Sequence, residues 1–444
     1  MMTASQQRRR RTLFGWYMYD WANSAFATTV LAALFGPYLD TVVVPKGGVV
    51  VPFLGKTPLG ATSLYGYALG ISALIVLLIA PLLGAVADAG GCRKRFLALF
   101  ALSGSIATAC MLFIGAGDVT SAIGLFTIAN VCFVSANVFY DSFLPHIALP
   151  EERDRVSGTG YAFGYAGGGL LFLSHLLFVR YHDFFGVSDS AFAIRIALSS
   201  VGFWWGGFSL ITLALIHEPV SSSLSFSSAV AAGLRRLATT MRKLRRLPQL
   251  LLFLCAFLVF NDGIQTVIAM ATVYGSEELG FDTMTLMGCL LMVQVVGIAG
   301  SRFFATLGDR IGSKSALLAS LAVWVLVASF AYFMTRALEF WLLGGAVGFV
   351  LGGSQALSRS LFSRMIPAEA SAEFFGFFSI FEKFSAIGGP IVFAVVRQFT
   401  GSSRNSILAL VAFFILGAML LFFVDVERAE SEGSAFREEG KAVL

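Results

Sequence analysis

Charge is scarce in this chain. Asp, Glu, Lys and Arg make up 13% of its 444 residues, about half the share of a soluble globular protein, which excludes an ordinary water-facing surface. Metal-binding residues are equally thin: four histidines and five cysteines, with no C-x-x-C pair and no His/Cys zinc spacing. The cysteines (Cys92, Cys110, Cys132, Cys255, Cys289) lie in or beside apolar runs and read as small packing residues, neither disulfides nor ligands. There is no P-loop and no G-x-S-x-G elbow, which removes nucleotide-driven and serine-hydrolase chemistry. No catalytic residue, metal or cofactor is expected.

What abounds is apolar sequence: 57% of residues are hydrophobic and the mean hydropathy is +0.81. Bilayer-spanning stretches of about 20 apolar residues recur twelve times, near 14–39, 62–87, 96–115, 120–145, 156–179, 192–217, 248–274, 283–307, 315–335, 338–362, 373–399 and 405–424. The chain is therefore expected to be an all-α membrane protein with twelve transmembrane helices. Arg8–Arg11 before an apolar run has the look of an export signal. The run is too long, carries Asp20 and Asn23 and lacks a small-residue cleavage site, so it reads as a retained first helix.

The few positive charges carry topology. Of 31 Lys and Arg, 22 fall at the N-terminus, in loops after even-numbered helices or in the C-tail, and six fall on the opposite side. The positive-inside rule then predicts two cytoplasmic termini. Basic residues spread over short loops without interleaved aromatics exclude nucleic acid as a partner.

The longest polar insertion divides the chain into a six-helix half (1–217), a linker (218–247), a second six-helix half (248–424) and a cytoplasmic tail (425–444). The linker is Ser-rich and then basic and amphipathic; it either lies on the inner leaflet or is solvated. The halves repeat. Asp88 after helix two and Asp309 after helix eight each have a Gly three residues on and a basic residue, Arg93 or Lys314, five residues on. Their offset is 221; Pro150/Pro367 and Gly158/Gly376 follow at 217 and 218. Asp20-x-x-Asn23-Ser24 and Asp262-x-x-Gln265-Thr266 match at 242, the excess being a longer first outer loop. Two six-helix repeats of one orientation describe a known transporter architecture.

The repeat selects the candidate residues. A carboxylate in hydrocarbon costs about 2.5–3.5 kcal/mol on insertion scales, and the i, i+3, i+4 spacing places each polar set on one helix face. Asp20, Asn23, Ser24, Asp262, Gln265 and Thr266 are therefore expected to line a central cavity, binding a substrate ammonium or a coupling proton. The alternative is that each Asp bonds Asn23 or Asn261 and locks a helix crossing. Asp141 and Arg359, at offset 218, with Gln355 one turn before Arg359, are expected to pair when the inner mouth closes; otherwise they are interface charges. Asp88, Arg93, Asp309 and Lys314 sit in glycine turns where a carboxylate can accept from a neighbouring helix N-terminus; otherwise they set topology. Glu382 and Lys383 point about 100° apart, so they are not expected to neutralise each other; one should reach the cavity or another helix. His175 is a proton relay or a structurally satisfied histidine. Gly158, Gly160, Gly164, Gly167, Gly168 and Gly169 suggest close packing, and Gly388-Gly389-Pro390 a bend.

The loop Gly84-x-x-x-Asp88-x-x-Gly91-x-Arg93, with its weaker copy at Ala305–Lys314, resembles the cytoplasmic signature of the major facilitator superfamily. Tyr19-Asp20-Trp21-Ala22-Asn23-Ser24-Ala25-Phe26 is similar to the first-helix signature of the vacuole-effluxer family, whose fungal members export amino acids from the vacuole. Asn261-Asp262-Gly263, Gly352–Ser360 and Glu373–Phe377 extend the resemblance along the chain. It implies a major facilitator fold of two pseudo-symmetric six-helix halves working by rocker-switch alternating access. The expected function is secondary active transport of a small polar solute, an amino acid and efflux among the candidates, with H+ as coupling ion. The alternative is a non-transporting receptor or assembly factor on a transporter fold. A monomer in the lipid bilayer is expected, with short loops favouring a bacterial cytoplasmic membrane.

Overall fold

The computed structural model describes residues 4–51, 57–218, 226–243 and 247–441; the Ser-rich start of the linker and Arg245 and Arg246 lie outside them. In hydrocarbon a backbone has only itself to satisfy its N–H and C=O groups, so apolar runs fold as helices. Among the described residues twelve helices are long and apolar enough to cross a membrane. In chain order, helices one to six are Ser5–Val43, Ala61–Gly90, Arg93–Phe113, Val119–Ile147, Pro150–Arg180 and Ser190–Leu215. Helices seven to twelve are Pro248–Ala271, Met284–Ile311, Ser313–Phe333, Ala337–Met365, Ala368–Thr400 and Ser403–Phe422. The protein is an all-α membrane protein; its one strand-like pairing among these residues is a bridge between Val49 and Leu59.

Helices one and eleven depart from regular geometry. Helix one widens into π-helical turns over Phe26–Leu34 and Leu39–Val43, a distortion common at functional sites. Helix eleven is broken into Ser371–Phe384 and Gly388–Thr400. The second piece starts on Gly388-Gly389-Pro390, where a proline needs no intrahelical donor.

The chain forms two compact units: Met1–Ile79, Lys94–Tyr140 and Phe163–Glu218; and Ala80–Arg93, Asp141–Ala162 and Pro219–Leu444. The first is built on aromatic packing, with Trp16 on Tyr140 and Phe35 on Phe126, each at 4.5 Å between centroids. Helix five closes on helix one through glycine: a Cβ at Gly168 would stand 3.0 Å from Thr28 Oγ1 and 3.1 Å from the Ser24 carbonyl. The second unit packs Phe257 on Phe378 at 4.4 Å and Trp324 on Phe414 at 5.3 Å. Within it, helix-two residues meet helix eleven so closely that a Cβ at Gly376 would stand 2.8 Å from Pro81 Cα.

Two further helices belong to the second unit. Phe226–Lys243, in the linker, rests on the protein: a Cβ at Gly233 would stand 2.8 Å from Val86 Cα, while Arg235 stays exposed. One face of the linker helix thus meets helix two. Val426–Lys441 makes the tail a docked helix. Its Ala429 is buried, Gly433 faces the Met365 carbonyl, and Phe436 meets the Phe374 ring edge-on at 5.8 Å.

Candidate functional site

In the first unit, Asp20 is buried on helix one and accepts a hydrogen bond from Tyr140 Oη at 2.7 Å. Tyr140 is itself clamped between Trp16 and Tyr19, with centroids at 4.5 and 4.8 Å, and its carbonyl accepts the Trp16 indole N–H at 3.0 Å. One turn on, Asn23 Nδ2 donates to Asn137 Oδ1 at 2.5 Å. Asp20 and Asn23 thus each reach helix four. Ser24 lies against Gly164 and Gly168 of helix five. Deeper along helix one, Thr29 Oγ1 lies 3.2 Å from His175 Nδ1, and Ser200 Oγ 2.7 Å from its Nε2, so His175 has a partner at both nitrogens.

In the second unit, Asp262 is buried on helix seven and accepts the Gly389 N–H at 2.8 Å. Its neighbour Asn261 donates to Ser385 Oγ at 2.5 Å. Ser385 ends the first piece of helix eleven and Gly389 begins the second, so two consecutive residues hold both sides of the break. Gly388 and Gly389 are needed there: a Cβ on either would collide with the Asp262 carboxylate, and one on Gly389 also with Thr266 Oγ1. Thr266 turns its hydroxyl back to the Asp262 carbonyl at 2.7 Å. Gln265, half-buried, lies on the neighbouring position. Beside the break, Met270, Pro390, Phe393, Ala394, Arg397 and Gln398 line a cavity of about 520 Å³.

Glu382 and Lys383 correct an expectation. Their Cβ directions diverge, yet both side chains are long enough to fold back, and Lys383 Nζ lies 3.9 Å from Glu382 Oε1. At that distance and with both side chains about a third exposed, the pair contributes little.

A third group of residues lies in the loops that follow the even-numbered helices. Arg93 Nε donates to Asp88 Oδ1 at 2.6 Å in a buried pair. The same carboxylate accepts the N–H groups of Ala372 and Glu373 at 3.2 and 2.9 Å, where the first turn of helix eleven leaves its donors unused. Gly91 (φ 57°) and Gly312 (φ 88°) make the two turns in a left-handed conformation that only glycine adopts cheaply. The copies then diverge. Asp309 pairs with Arg155 at 3.0 Å, at the start of helix five. Lys314 leaves Asp309 and donates to the Phe422 and Val424 carbonyls at 2.7 Å, capping helix twelve. Arg359, buried on helix ten, reaches Asp141 at 3.0 Å, Ser157 Oγ at 3.0 Å and the Ser157 carbonyl at 2.9 Å, and covers the Tyr161 ring at 4.2 Å. Gln355 is half-buried one turn earlier.

Several residues in this group carry no sequence signal strong enough to single them out. Asp154 is fully buried, accepts from Ser313 Oγ at 2.6 Å and lies 3.2 Å from Arg364. His146 sits beside Arg93, and Ser371 beside His146. Asp154 and Arg155 stand at the same offset, 218, from Ala372 and Glu373 as Asp141 does from Arg359; the repeat register is the signal available for them. Tyr140 has none beyond standing next to Asp141.

Comparisons with known proteins agree with this fold. The profile of the family described as "Vacuole effluxer Atg22 like" matches residues 8–434. The MFS-type transporter YxiO of Bacillus subtilis is 33% identical over 414 residues, 93% of this chain and 94% of that protein. Autophagy-related protein 22 of Eremothecium gossypii is 25% identical over 478 residues, 95% of this chain and 92% of that one. Among solved structures, the human organic anion transporter MFSD10 matches with a TM-score of 0.66 at 15% identity, covering 93% of this chain and 99% of that chain. The proton:xylose symporter XylE, of the major facilitator superfamily, matches with the same TM-score and identity, covering 94% and 95%. At that identity the likeness to solved structures establishes the fold alone.

Proposed function

The chain belongs to the Atg22-like vacuole effluxer family of major facilitator transporters, and from that premise we propose that it is a secondary active transporter moving a small polar solute by alternating access. The observation that carries the reading is the pair of buried carboxylates, Asp20 and Asp262, at equivalent places in two repeats. Each would be expensive in hydrocarbon. Tyr140 and the Gly389 N–H are neutral donors: they orient the carboxylates without cancelling their charge. A carboxylate so held suits an ammonium group or a proton, which is why an amino acid and proton coupling are the solute and ion favoured here.

Alternating access needs contacts between the repeats that can form and break. Asp88 with the start of helix eleven, and Asp141 with Arg359, join residues of the first repeat to the second and suit that role. Efflux is supported by the family's description. The charge asymmetry of the loops supports cytoplasmic termini, and the Bacillus relative supports a bacterial cytoplasmic membrane.

The test is flux in proteoliposomes under an imposed pH gradient, screened over amino acids and short peptides, with Asp20→Asn and Asp262→Asn as controls. A transported solute whose flux drops at least about tenfold in both variants, a loss of about 1.4 kcal/mol, supports the reading. Absence of flux and binding across the whole screen would sink it.

A further inference from the structure

His146, at the end of helix four, touches groups from both repeats. Its Nε2 lies 2.7 Å from Arg93 Nη1 and 3.3 Å from Ser371 Oγ. The first of these contacts fixes a protonation state. A guanidinium carries only donors, so at 2.7 Å the imidazole nitrogen must be the acceptor; Nε2 is bare and any ring proton is on Nδ1. The same Arg93 is bound to Asp88 by Nε and reaches the Ala368 and Glu369 carbonyls by Nη2, at 3.4 and 3.3 Å. Ser371 in turn donates to the Ser142 carbonyl at 2.9 Å. His146 therefore supports the guanidinium that ties residues 88–93 to the start of helix eleven.

We propose that this cluster is a pH-sensitive latch: a proton on His146 Nε2 and the Arg93–His146 contact exclude each other, so acid on the side of these loops releases helix eleven from the Asp88 loop. The charged groups beside the imidazole are Arg93 with its partner Asp88 and Arg153 from helix five; along the chain, Asp141 precedes it by five residues on its own helix, and Glu369 and Glu373 lie at the start of helix eleven. Of these, Arg93 stands at hydrogen-bond distance and Arg153 donates to the Pro145 carbonyl next to His146 at 3.4 Å. Protonation would thus bring a third cation to a place already holding two guanidinium groups. Asp88 is engaged by Arg93 and by the helix-eleven N–H groups; a proton on Nε2 would turn instead to Ser371 Oγ, 3.3 Å away with its own hydrogen given to Ser142, and would leave Arg93 without its acceptor.

The direction follows from linkage. A group that must be neutral in the latched arrangement, and is free to take a proton once released, favours latching at high pH and release at low pH. Release should grow as pH falls through the ordinary imidazole range, about 6.5, with the latched-to-released ratio changing by at most about tenfold per pH unit. The latch needs neither Asp20 nor Asp262, so it stands or falls apart from the transport reading.

The experiment measures distance, not flux. Spin labels are placed through Arg95→Cys, beside the Asp88 loop, and Glu369→Cys, at the start of helix eleven, both exposed positions, in the full-length chain with its own cysteines replaced by serine and held in nanodiscs. Between about pH 8 and about pH 5 the longer-distance population should rise severalfold. His146→Gln keeps an oxygen that accepts from Arg93 without titrating, and should hold the short-distance population across that range; His146→Asn is the second variant should the first fail to fold. A distribution that does not move with pH in the parent, or that moves equally in the folded variant, overturns the latch.

Discussion

Asp262 accepts the N–H of Gly389 at 2.8 Å, so a carboxylate on helix seven caps the second piece of helix eleven across its break. The break is therefore a built joint, held by Asn261 on one side and Asp262 on the other, and its glycines are the positions where a methyl group is least tolerated.

Gly389→Ala should destabilise the protein, because the new Cβ meets Asp262 and Thr266 together. Overpacking of this kind costs about 1–3 kcal/mol. Thermal unfolding in detergent should show the loss, whereas Gly36→Ala, with open space around its Cα, should leave the midpoint where it is. Equal midpoints for the two would remove the joint from the account.

Tyr140→Phe removes the hydroxyl that orients Asp20 while leaving the ring on Trp16. The expected cost to stability is about 1 kcal/mol, small enough to keep the fold. Solute flux, in contrast, should drop by about tenfold or more, as expected when a group at the reaction path loses its partner. A variant with normal flux would place Asp20 off the solute's path.

Asp141 and Arg359 should be energetically coupled. Arg359 is 3% and Asp141 18% exposed in their side chains, so the pair is shielded from the screening that makes surface ion pairs weak. A double-mutant cycle with Asp141→Asn and Arg359→Gln, read by chemical or thermal unfolding, should give a coupling above about 1 kcal/mol. Additivity would mean that Ser157 and Tyr161 hold Arg359 without Asp141.

Deleting the tail after Val424 should lower the unfolding midpoint by several degrees. The deletion uncovers the Met365 carbonyl and Phe374 and strips from Gln249 the carboxylate of Glu432, which accepts its N–H at 3.2 Å. Gly433→Val, which pushes a side chain against the Met365 carbonyl, should act in the same direction. An unchanged midpoint in both would show the tail helix to be a passive appendage.

Much of the architecture is legible in the order of residues. Helix count and the repeat are local or periodic properties, and the break at Gly388-Gly389-Pro390 is written in residue types that end helices. The candidate site is legible only as to which residues are expensive. Lys314 matches Arg93 in sequence, yet it caps helix twelve while Arg93 binds Asp88; a repeat predicts equivalent positions, not equivalent partners. The expected separation of Glu382 from Lys383 fails because Cβ directions say little about where two long side chains end.

A twelve-helix, twice-repeated membrane protein with a carboxylate inside its first and seventh helices follows from the residues and their order, since hydrocarbon leaves a backbone no choice but helix and makes every internal charge conspicuous. Which groups meet those carboxylates is settled only by the packing of the helices. Tyr140 is 120 residues from Asp20, and Gly389 is 127 from Asp262; hydrogen bonds across such separations depend on how helices pack, and no local pattern records that.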